Sequence, residues 1–134
     1  MGLFRFINPE SLGPARGYSN GVVAPPGGRL LFIAGQVGWD ERQKIVSSDF
    51  AEQFERALFN LIAVVREAGG EPTEITRLVI YVTDKGDYMA ARHDLGARWR
   101  ALMGRHFPAM SLVEVAGLLE DEAKVEIEGI AVLQ

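Results

Sequence analysis

Two segments near the C-terminus place carboxylates among apolar residues that would otherwise pack in a core. Residues 107–115 read FPAMSLVEV and residues 124–132 read KVEIEGIAV, and both are typical of strands. In the second segment, Glu126 and Glu128 project from the face opposite to the smooth apolar one. A carboxylate on such a strand costs free energy unless it is paired or used in chemistry, so both are candidates for acid–base work. The alternative is an edge strand whose solvated glutamates hinder aggregation.

The composition argues against several other kinds of site. There is no cysteine, which excludes disulfides, thiolate metal sites and a cysteine nucleophile. The two histidines, His93 and His106, are too far apart in sequence for a typical zinc motif, so no metal is expected. The net charge of −4 does not favour nucleic acid, and no apolar run reaches membrane-spanning length. We therefore expect a cytoplasmic protein that binds neither nucleic acid nor membrane.

Local signals predict two helices within one domain that spans residues 1–134. Asp49 can cap the first helix, Glu52 completes a capping-box pattern, and Gly69-Gly70 ends the helix. The second helix follows residues 84–87 and stops at Gly104. One face of this second helix carries a stripe of apolar side chains, whereas its other faces are basic.

The remaining patterns predict strands around the helices and an irregular N-terminus over residues 1–17. Besides the two C-terminal segments, strands are expected at residues 18–23, 30–34 and 78–82, with a short one near 44–46. The order predicts a mixed sheet with two helices on one face. Because residues 30–34 and 78–82 are apolar on both sides, we expect a second copy of the chain to cover the other face.

Six sequence blocks occur from about residue 14 to the end of the chain, namely 17–19 (GYS), 32–37 (FIAGQV), 68–70 (AGG), 81–84 (YVTD), 107–115 and 125–131 (VEIEGIA). In order and spacing they resemble the Rid (reactive intermediate deaminase) family, also known as YjgF-like or L-PSP endoribonuclease-like proteins. The resemblance implies a chorismate-mutase-like α+β fold. It also implies a homotrimer whose sheets form a central barrel, with three small-molecule clefts between subunits.

The resemblance further implies a chemistry and a set of site residues. The best-understood members are hydrolases (deaminases) that convert enamines and imines from pyridoxal-phosphate enzymes to a keto acid and ammonia, without a cofactor of their own. By the match, Glu126 is the catalytic carboxylate that handles water, and Tyr18 lines the cleft. The backbone around Ala34 and Gly35 approaches the ligand.

The chain departs from this family at the position that holds the substrate. Deaminating members carry Arg where Met110 stands here, and Leu112 and Ala34 replace a Cys and a Ser. Arg92 aligns with an Asn of the second helix. Losing a charge-assisted bidentate contact costs on the order of 2–4 kcal/mol.

Two interpretations follow from this departure. The first is a divergent deaminase for a less acidic or a larger, more apolar substrate, with Met110, Leu112 and Ala34 as an apolar wall and Arg92 as the replacement clamp. The second is a trimer that has lost deaminase chemistry and binds a metabolite or a protein partner. Arg92 could also be an ordinary solvated helix residue. The ribonuclease activity in the older family name has no support, because no histidine pair or lysine-rich cleft is visible.

Overall fold

A computed structural model describes residues 3–134, and these fold into a four-stranded sheet, a two-stranded ribbon and two long helices. In chain order the elements are β1 (Arg5–Ile7), β2 (Gly21–Val23), β3 (Arg29–Val37), α1 (Phe50–Glu67), β4 (Ile75–Val82), α2 (Lys85–Met103), β5 (Ala109–Glu114) and β6 (Val125–Leu133). The sheet has the order β3-β6-β4-β5, in which β4 and β5 run parallel and the other neighbours are antiparallel. The prediction of an α+β fold with a mixed sheet is confirmed.

The N-terminal third differs from its sequence prediction in three places. Residues 5–7 form β1, which pairs with β2, although residues 1–17 were expected to be irregular. The strand expected over residues 18–23 begins only at Gly21, because Ser19 instead forms a parallel bridge to Ala109 at the edge of the main sheet. The strand expected near residues 44–46 is reduced to a single bridge between Trp39 and Ile45. All three depend on long-range pairing, which a local pattern does not report.

The boundaries of α1 follow its predicted caps, and α2 ends before the predicted Gly104, although it begins at Lys85, within the stretch expected to precede it. The Asp49 carboxylate accepts a hydrogen bond from the Glu52 backbone N–H at 3.0 Å, as expected for an N-cap. The return bond of a capping box is absent here, since the Ser47 hydroxyl rather than Glu52 accepts from the Asp49 N–H at 2.9 Å. Gly69 follows α1 with a φ of 88°, a left-handed conformation that favours glycine.

The two helices cover one face of the sheet and leave the other open. On the covered face the side chains of Leu78, Val125 and Ile127 are fully buried. On the open face of β3, Leu30 and Phe32 are 63% and 70% exposed. A single chain therefore leaves an apolar surface uncovered, as the sequence of residues 30–34 indicated, and the oligomer that would cover it stays a prediction. Within residues 3–134, no helix combines the length and hydropathy needed to cross a membrane.

Candidate functional site

The residues singled out by sequence lie in two places on opposite sides of the sheet. The first, which we call the carboxylate cluster, lies on the open face and comprises Gly35, Tyr81, Glu126 and Glu128. The second, which we call the arginine-rimmed cavity, lies on the helix-covered side and has a volume of about 260 Å³. It is lined by Gly17, Phe54, Ile80, Tyr88, Arg92, Leu95, Gly96, Trp99, Arg100, Phe107 and Met110.

A β-bulge places the Glu126 carboxylate against the backbone of Gly35. The pairing of β3 with β6 shifts register between Ile33 and Gln36, so that Ala34 and Gly35 together lie opposite Glu128, with Gly35 against the side chain of Glu126. A Cβ atom on residue 35 would overlap Glu126 Oε2 and would lie only 2.8 Å from its Cδ. The absence of a side chain at residue 35 therefore allows the Glu126 carboxylate to lie against the main chain in this position. No hydrogen bond or ion pair within the described part of the chain engages the Glu126 carboxylate, which leaves its oxygens available on the open face.

Tyr81 lies between the two glutamates and bonds to one of them. Its register partner across the strands is Glu126, and its hydroxyl donates a hydrogen bond to Glu128 Oε1. This hydrogen bond is the main reason that the pKa of Tyr81 is raised above its ordinary value of 10.0. Partial burial and the charges of Glu128 and Glu126 add to the rise, while Arg77 opposes it. The phenol consequently stays protonated at neutral pH and binds Glu128, leaving Glu126 as the unengaged carboxylate.

A buried glutamine fixes the start of β6, the strand that carries Glu126. Gln53, on α1, is fully buried, and its Nε2 donates to the carbonyl oxygens of Ser47 at 2.8 Å and Glu122 at 3.1 Å. Its Oε1 accepts from the Lys124 N–H at 2.8 Å. This side chain therefore ties α1 to residues 47 and 122–124, and it makes three of the four hydrogen bonds that a glutamine amide can form.

The arginine-rimmed cavity has a hydrophobic interior between α2 and the beginning of β5. The rings of Trp99 and Phe107 stack with centroids 6.2 Å apart and an interplanar angle of 3°. Met110 packs beside them against the core, so its side chain points away from the open face. Arg92 and Arg100 supply the charge of the lining, and no acidic residue belongs to it. Such a cavity can hold an apolar group with an anion at its rim.

The remaining predicted residues lie near the cavity or beside the bulge. Tyr18 is held close to the start of β5, because the neighbouring Ser19 donates hydrogen bonds to the carbonyl oxygens of Phe107 at 2.6 Å and Pro108 at 3.1 Å. Leu112 follows Met110 on the same face of β5 and packs on the core, but it does not line the cavity. The structure thus brings Arg92 and Met110 together with the segment of Tyr18.

One chain does not bring all of these residues into one cleft. Ala34, Gly35 and Glu126 share the open face, whereas Met110 and Leu112 face the helices. The single apolar wall expected from Met110, Leu112 and Ala34 is therefore not formed within one chain, because strand alternation puts them on different faces.

The sequence interpretation missed most of the cavity lining and one member of the carboxylate cluster, and four of these residues bear on function. The first is Tyr81, whose alternation with the buried Ile80 and Val82 could have placed it on the open face. The others are Gly96, Trp99 and Arg100, which line the cavity with Arg92. Their helical spacing from Arg92 was readable, but the cavity itself depends on how α2 packs on the sheet.

Comparison with known proteins gives a consistent result. Residues 9–133 match the family described as Endoribonuclease L-PSP. The chain is 34% identical over 127 residues to the 2-iminobutanoate/2-iminopropanoate deaminase of Salmonella typhimurium, covering 92% of this chain and 91% of that protein. Among solved structures, the Rid family protein YyfB from Yersinia pestis superposes with a TM-score of 0.83 at 35% identity, covering 97% of this chain and 98% of that one. TdcF from E. coli with bound serine superposes with a TM-score of 0.70 at 29% identity, covering 95% of this chain and 94% of that one.

Proposed function

This chain belongs to the Endoribonuclease L-PSP family, which includes the Rid proteins, and we propose that it hydrolyses an imine or enamine to a carbonyl compound and ammonia. The observation that carries the proposal is the Glu126 carboxylate, unengaged and held against Gly35 on an open sheet face. A relative with 34% identity is named as a deaminase of small imino acids. The reaction needs no cofactor, and we expect it to take place in the cytoplasm.

Glu126 is the group that handles water in this proposal. A water molecule adds through its oxygen to the imine carbon, the C=N π bond breaks, and Glu126 takes a proton from that water. Glu126 returns this proton to the nitrogen, which gives a carbinolamine with an –NH2 group. A second proton then moves from the hydroxyl through Glu126 to that nitrogen, the C–N bond breaks, the carbonyl forms and ammonia leaves. A carboxylate free of protein hydrogen bonds suits this exchange, whereas Glu128 is engaged by Tyr81.

The cleft in this proposal lies between two copies of the chain. Glu126 projects from the open face, and the arginine-rimmed cavity is on the other side of the sheet. One copy can therefore offer its carboxylate cluster to the cavity mouth of the next. The exposed Leu30 and Phe32 provide an apolar surface for this association, and we propose the homotrimer implied by the family resemblance.

Arg92 is the substrate clamp that we assign in place of the missing family arginine. Met110 occupies that position and has no donor for a carboxylate. Arg92 lines the same cavity as Met110, so its guanidinium can reach an anion bound there. The serine bound to the related TdcF carries a carboxylate of the kind such a clamp would hold.

Ammonia release is the direct test of the enzymatic proposal. Imines generated in place by an amino-acid oxidase should be hydrolysed faster in the presence of the protein than without it. The Glu126→Gln variant should lose at least about a hundredfold of that acceleration, as expected for loss of an acid–base group. Glu41→Gln, on an exposed loop, is the matched control and should retain it. Equal rates for wild type and Glu126→Gln would refute the role of Glu126.

The second candidate function is a trimer that binds a small molecule without deaminating it. Met110 is the specific observation that favours it, because the chain lacks the arginine of deaminating relatives at this position. Met110→Arg discriminates between the two candidates. An inactive wild type whose activity appears only in Met110→Arg would favour the binding protein, whereas an active wild type favours the enzyme.

A further inference from the structure

Two arginines and a glycine form one row along α2 at the mouth of the cavity. Arg92, Gly96 and Arg100 are spaced i, i+4 and i+8, and all three line the cavity. Residues at this spacing lie on the same face of a helix, and the two arginine Cα atoms are about 12 Å apart along the axis. Long side chains from both ends of this row can converge on one anion above the glycine.

The glycine in the middle of the row has no local structural requirement. Its φ is not in the left-handed region, and a Cβ atom on residue 96 would meet nothing within 4 Å. Glycine inside a helix is nevertheless less favourable than alanine by about 1 kcal/mol. What Gly96 does provide is an opening between Arg92 and Arg100 into the cavity behind them.

The interior behind this opening suits an apolar group the size of one ring. Leu95, Trp99, Phe107 and Met110 form apolar walls around a volume of about 260 Å³. An apolar cavity of about 150 Å³ is enough to accept benzene. The cavity therefore has room for an aromatic or branched aliphatic side chain, which a small imino acid would leave unfilled.

The charge at the rim is uncompensated. On the same helix, Arg98 is engaged by Glu55 at 2.9 Å and Asp94 at 3.0 Å. In contrast, neither Arg92 nor Arg100 forms an ion pair within residues 3–134. An anion at the mouth would thus meet two guanidinium groups without having to displace a carboxylate.

We propose that the arginine-rimmed cavity selects α-imino acids with an aromatic or branched aliphatic side chain. This substrate class rests on the proposed function above. The side chain enters past Gly96, and Arg92 and Arg100 hold the carboxylate at the rim. The imine carbon then stays at the mouth, where Glu126 of a neighbouring copy can approach it. The replacement of the family arginine by Met110 makes the cavity more apolar and moves the cationic clamp outward to α2.

Binding is tested through the fluorescence of Trp99 inside the cavity. The chain has only two tryptophans, and Trp39 lies outside the cavity, so Trp39→Phe makes Trp99 the single reporter. This protein is titrated with phenylpropanoate, with propanoate, which lacks the ring, and with phenylpropanol, which lacks the charge. Phenylpropanoate should bind at least about tenfold more tightly than either, since it alone satisfies both the cavity and the rim. Equal affinity for phenylpropanoate and propanoate would overturn the proposal.

A larger side chain at Gly96 tests whether phenylpropanoate binds in the cavity. In the Trp39→Phe background, Gly96→Leu should abolish phenylpropanoate binding while raising the melting temperature or leaving it unchanged, because leucine is the better helix former. Ala97→Leu, at the next and exposed position of α2, makes a similar change outside the cavity and should bind normally. Arg92→Met should weaken phenylpropanoate at least about tenfold without affecting phenylpropanol. Unchanged binding in Gly96→Leu would exclude this cavity as the site.

The result of these binding titrations is independent of the result of the deaminase assay. Selective phenylpropanoate binding without any imine hydrolysis would keep the cavity assignment and remove the proposed reaction. Imine hydrolysis that proceeds equally with small and aromatic substrates, without selective phenylpropanoate binding, would keep the reaction and overturn the substrate class.

Discussion

Met110 and Glu126 lie on opposite faces of the same sheet. Met110 pairs with Leu78, which pairs with Gly129, and this row of side chains points toward the helices. Side chains alternate between the two faces along β6, and an odd number of residues separates Glu126 from Gly129. Glu126 therefore points toward the open face, away from the helices. The position of the lost family arginine and the candidate catalytic carboxylate can meet only when two copies of the chain are side by side.

Gly35→Ala should disable the site with little effect on stability. The added methyl group would displace the Glu126 carboxylate, which is the flexible end of a side chain and can move. We expect imine hydrolysis to fall at least about tenfold, with a change in unfolding free energy below about 1 kcal/mol. Gly117→Ala, where a Cβ atom has open space, is the control and should retain activity. Full activity in Gly35→Ala would show that the position of this carboxylate is unimportant.

The hydrogen bond from Tyr81 to Glu128 should have a measurable effect on the pKa of the Tyr81 phenol. Glu128→Gln removes the charge that most strongly holds the phenolic proton, so the pKa of Tyr81 should fall toward 10.0. Phenolate absorbance follows the titration, and Tyr81→Phe identifies which transition belongs to this residue. Because the folded protein holds the proton more tightly than the unfolded chain, this pair should also make wild type lose stability as pH rises above the ordinary pKa of tyrosine. An unchanged transition in Glu128→Gln would contradict the assignment.

His106 should make the protein less stable in mild acid. Burial lowers the pKa of His106 below its ordinary 6.5, with the hydrogen bond to the Ile75 carbonyl opposing that shift, and the Phe6 ring covers the imidazole. In mild acid the imidazole of residue 106 is therefore protonated to a greater extent in the unfolded chain than in the folded protein. The unfolding free energy consequently falls as pH decreases from about 7.5 to about 5.5. Denaturant titrations should show a weaker pH dependence for His106→Asn than for wild type. His93→Asn, at an exposed position, is the control. A weaker pH dependence of the unfolding free energy in this variant, with none in His106→Asn, would show that His106 is not the group responsible.

Gln53→Met should weaken both the fold and the site. The change leaves the carbonyls of Ser47 and Glu122 and the N–H of Lys124 without their partner, at a cost of about 2–3 kcal/mol. Because these segments fix the start of β6, ammonia release should fall as well. Glu67→Met, on the exposed side of the same helix, should change stability by less than about 0.5 kcal/mol. A fully stable Gln53→Met protein would show that these hydrogen bonds are dispensable.

Local signals were enough to predict the helices and the faces of individual strands. Asp49 and Gly69 limit α1 through short-range hydrogen bonding and backbone conformation, which the sequence displays directly. Alternation likewise placed Glu126 and Glu128 on one face of β6. These features depend on neighbours a few residues away.

Features that arise from pairing between distant strands were not predictable. The bulge at Ala34 and Gly35 exists because β3 pairs with β6, about ninety residues later. Alternation within one strand also does not say which face of another strand it matches, so the sequence could not show that Met110 and Ala34 lie on different faces of one chain. Whether they share a wall between two copies stays a prediction. The cavity behind Gly96 required the packing of α2 on the sheet.

Mixing two inactive variants tests the shared cleft most directly. Glu126→Gln is co-expressed with the double variant Arg92→Met, Arg100→Met, and oligomers that contain both chains are isolated and assayed for ammonia release. In a closed ring of three copies that contains both variants, about one cleft in three receives a native Glu126 from one copy and native arginines from the next. The mixed oligomers should therefore recover about a third of the wild-type rate. Mixed oligomers no more active than the separate variants would contradict a site built from two copies.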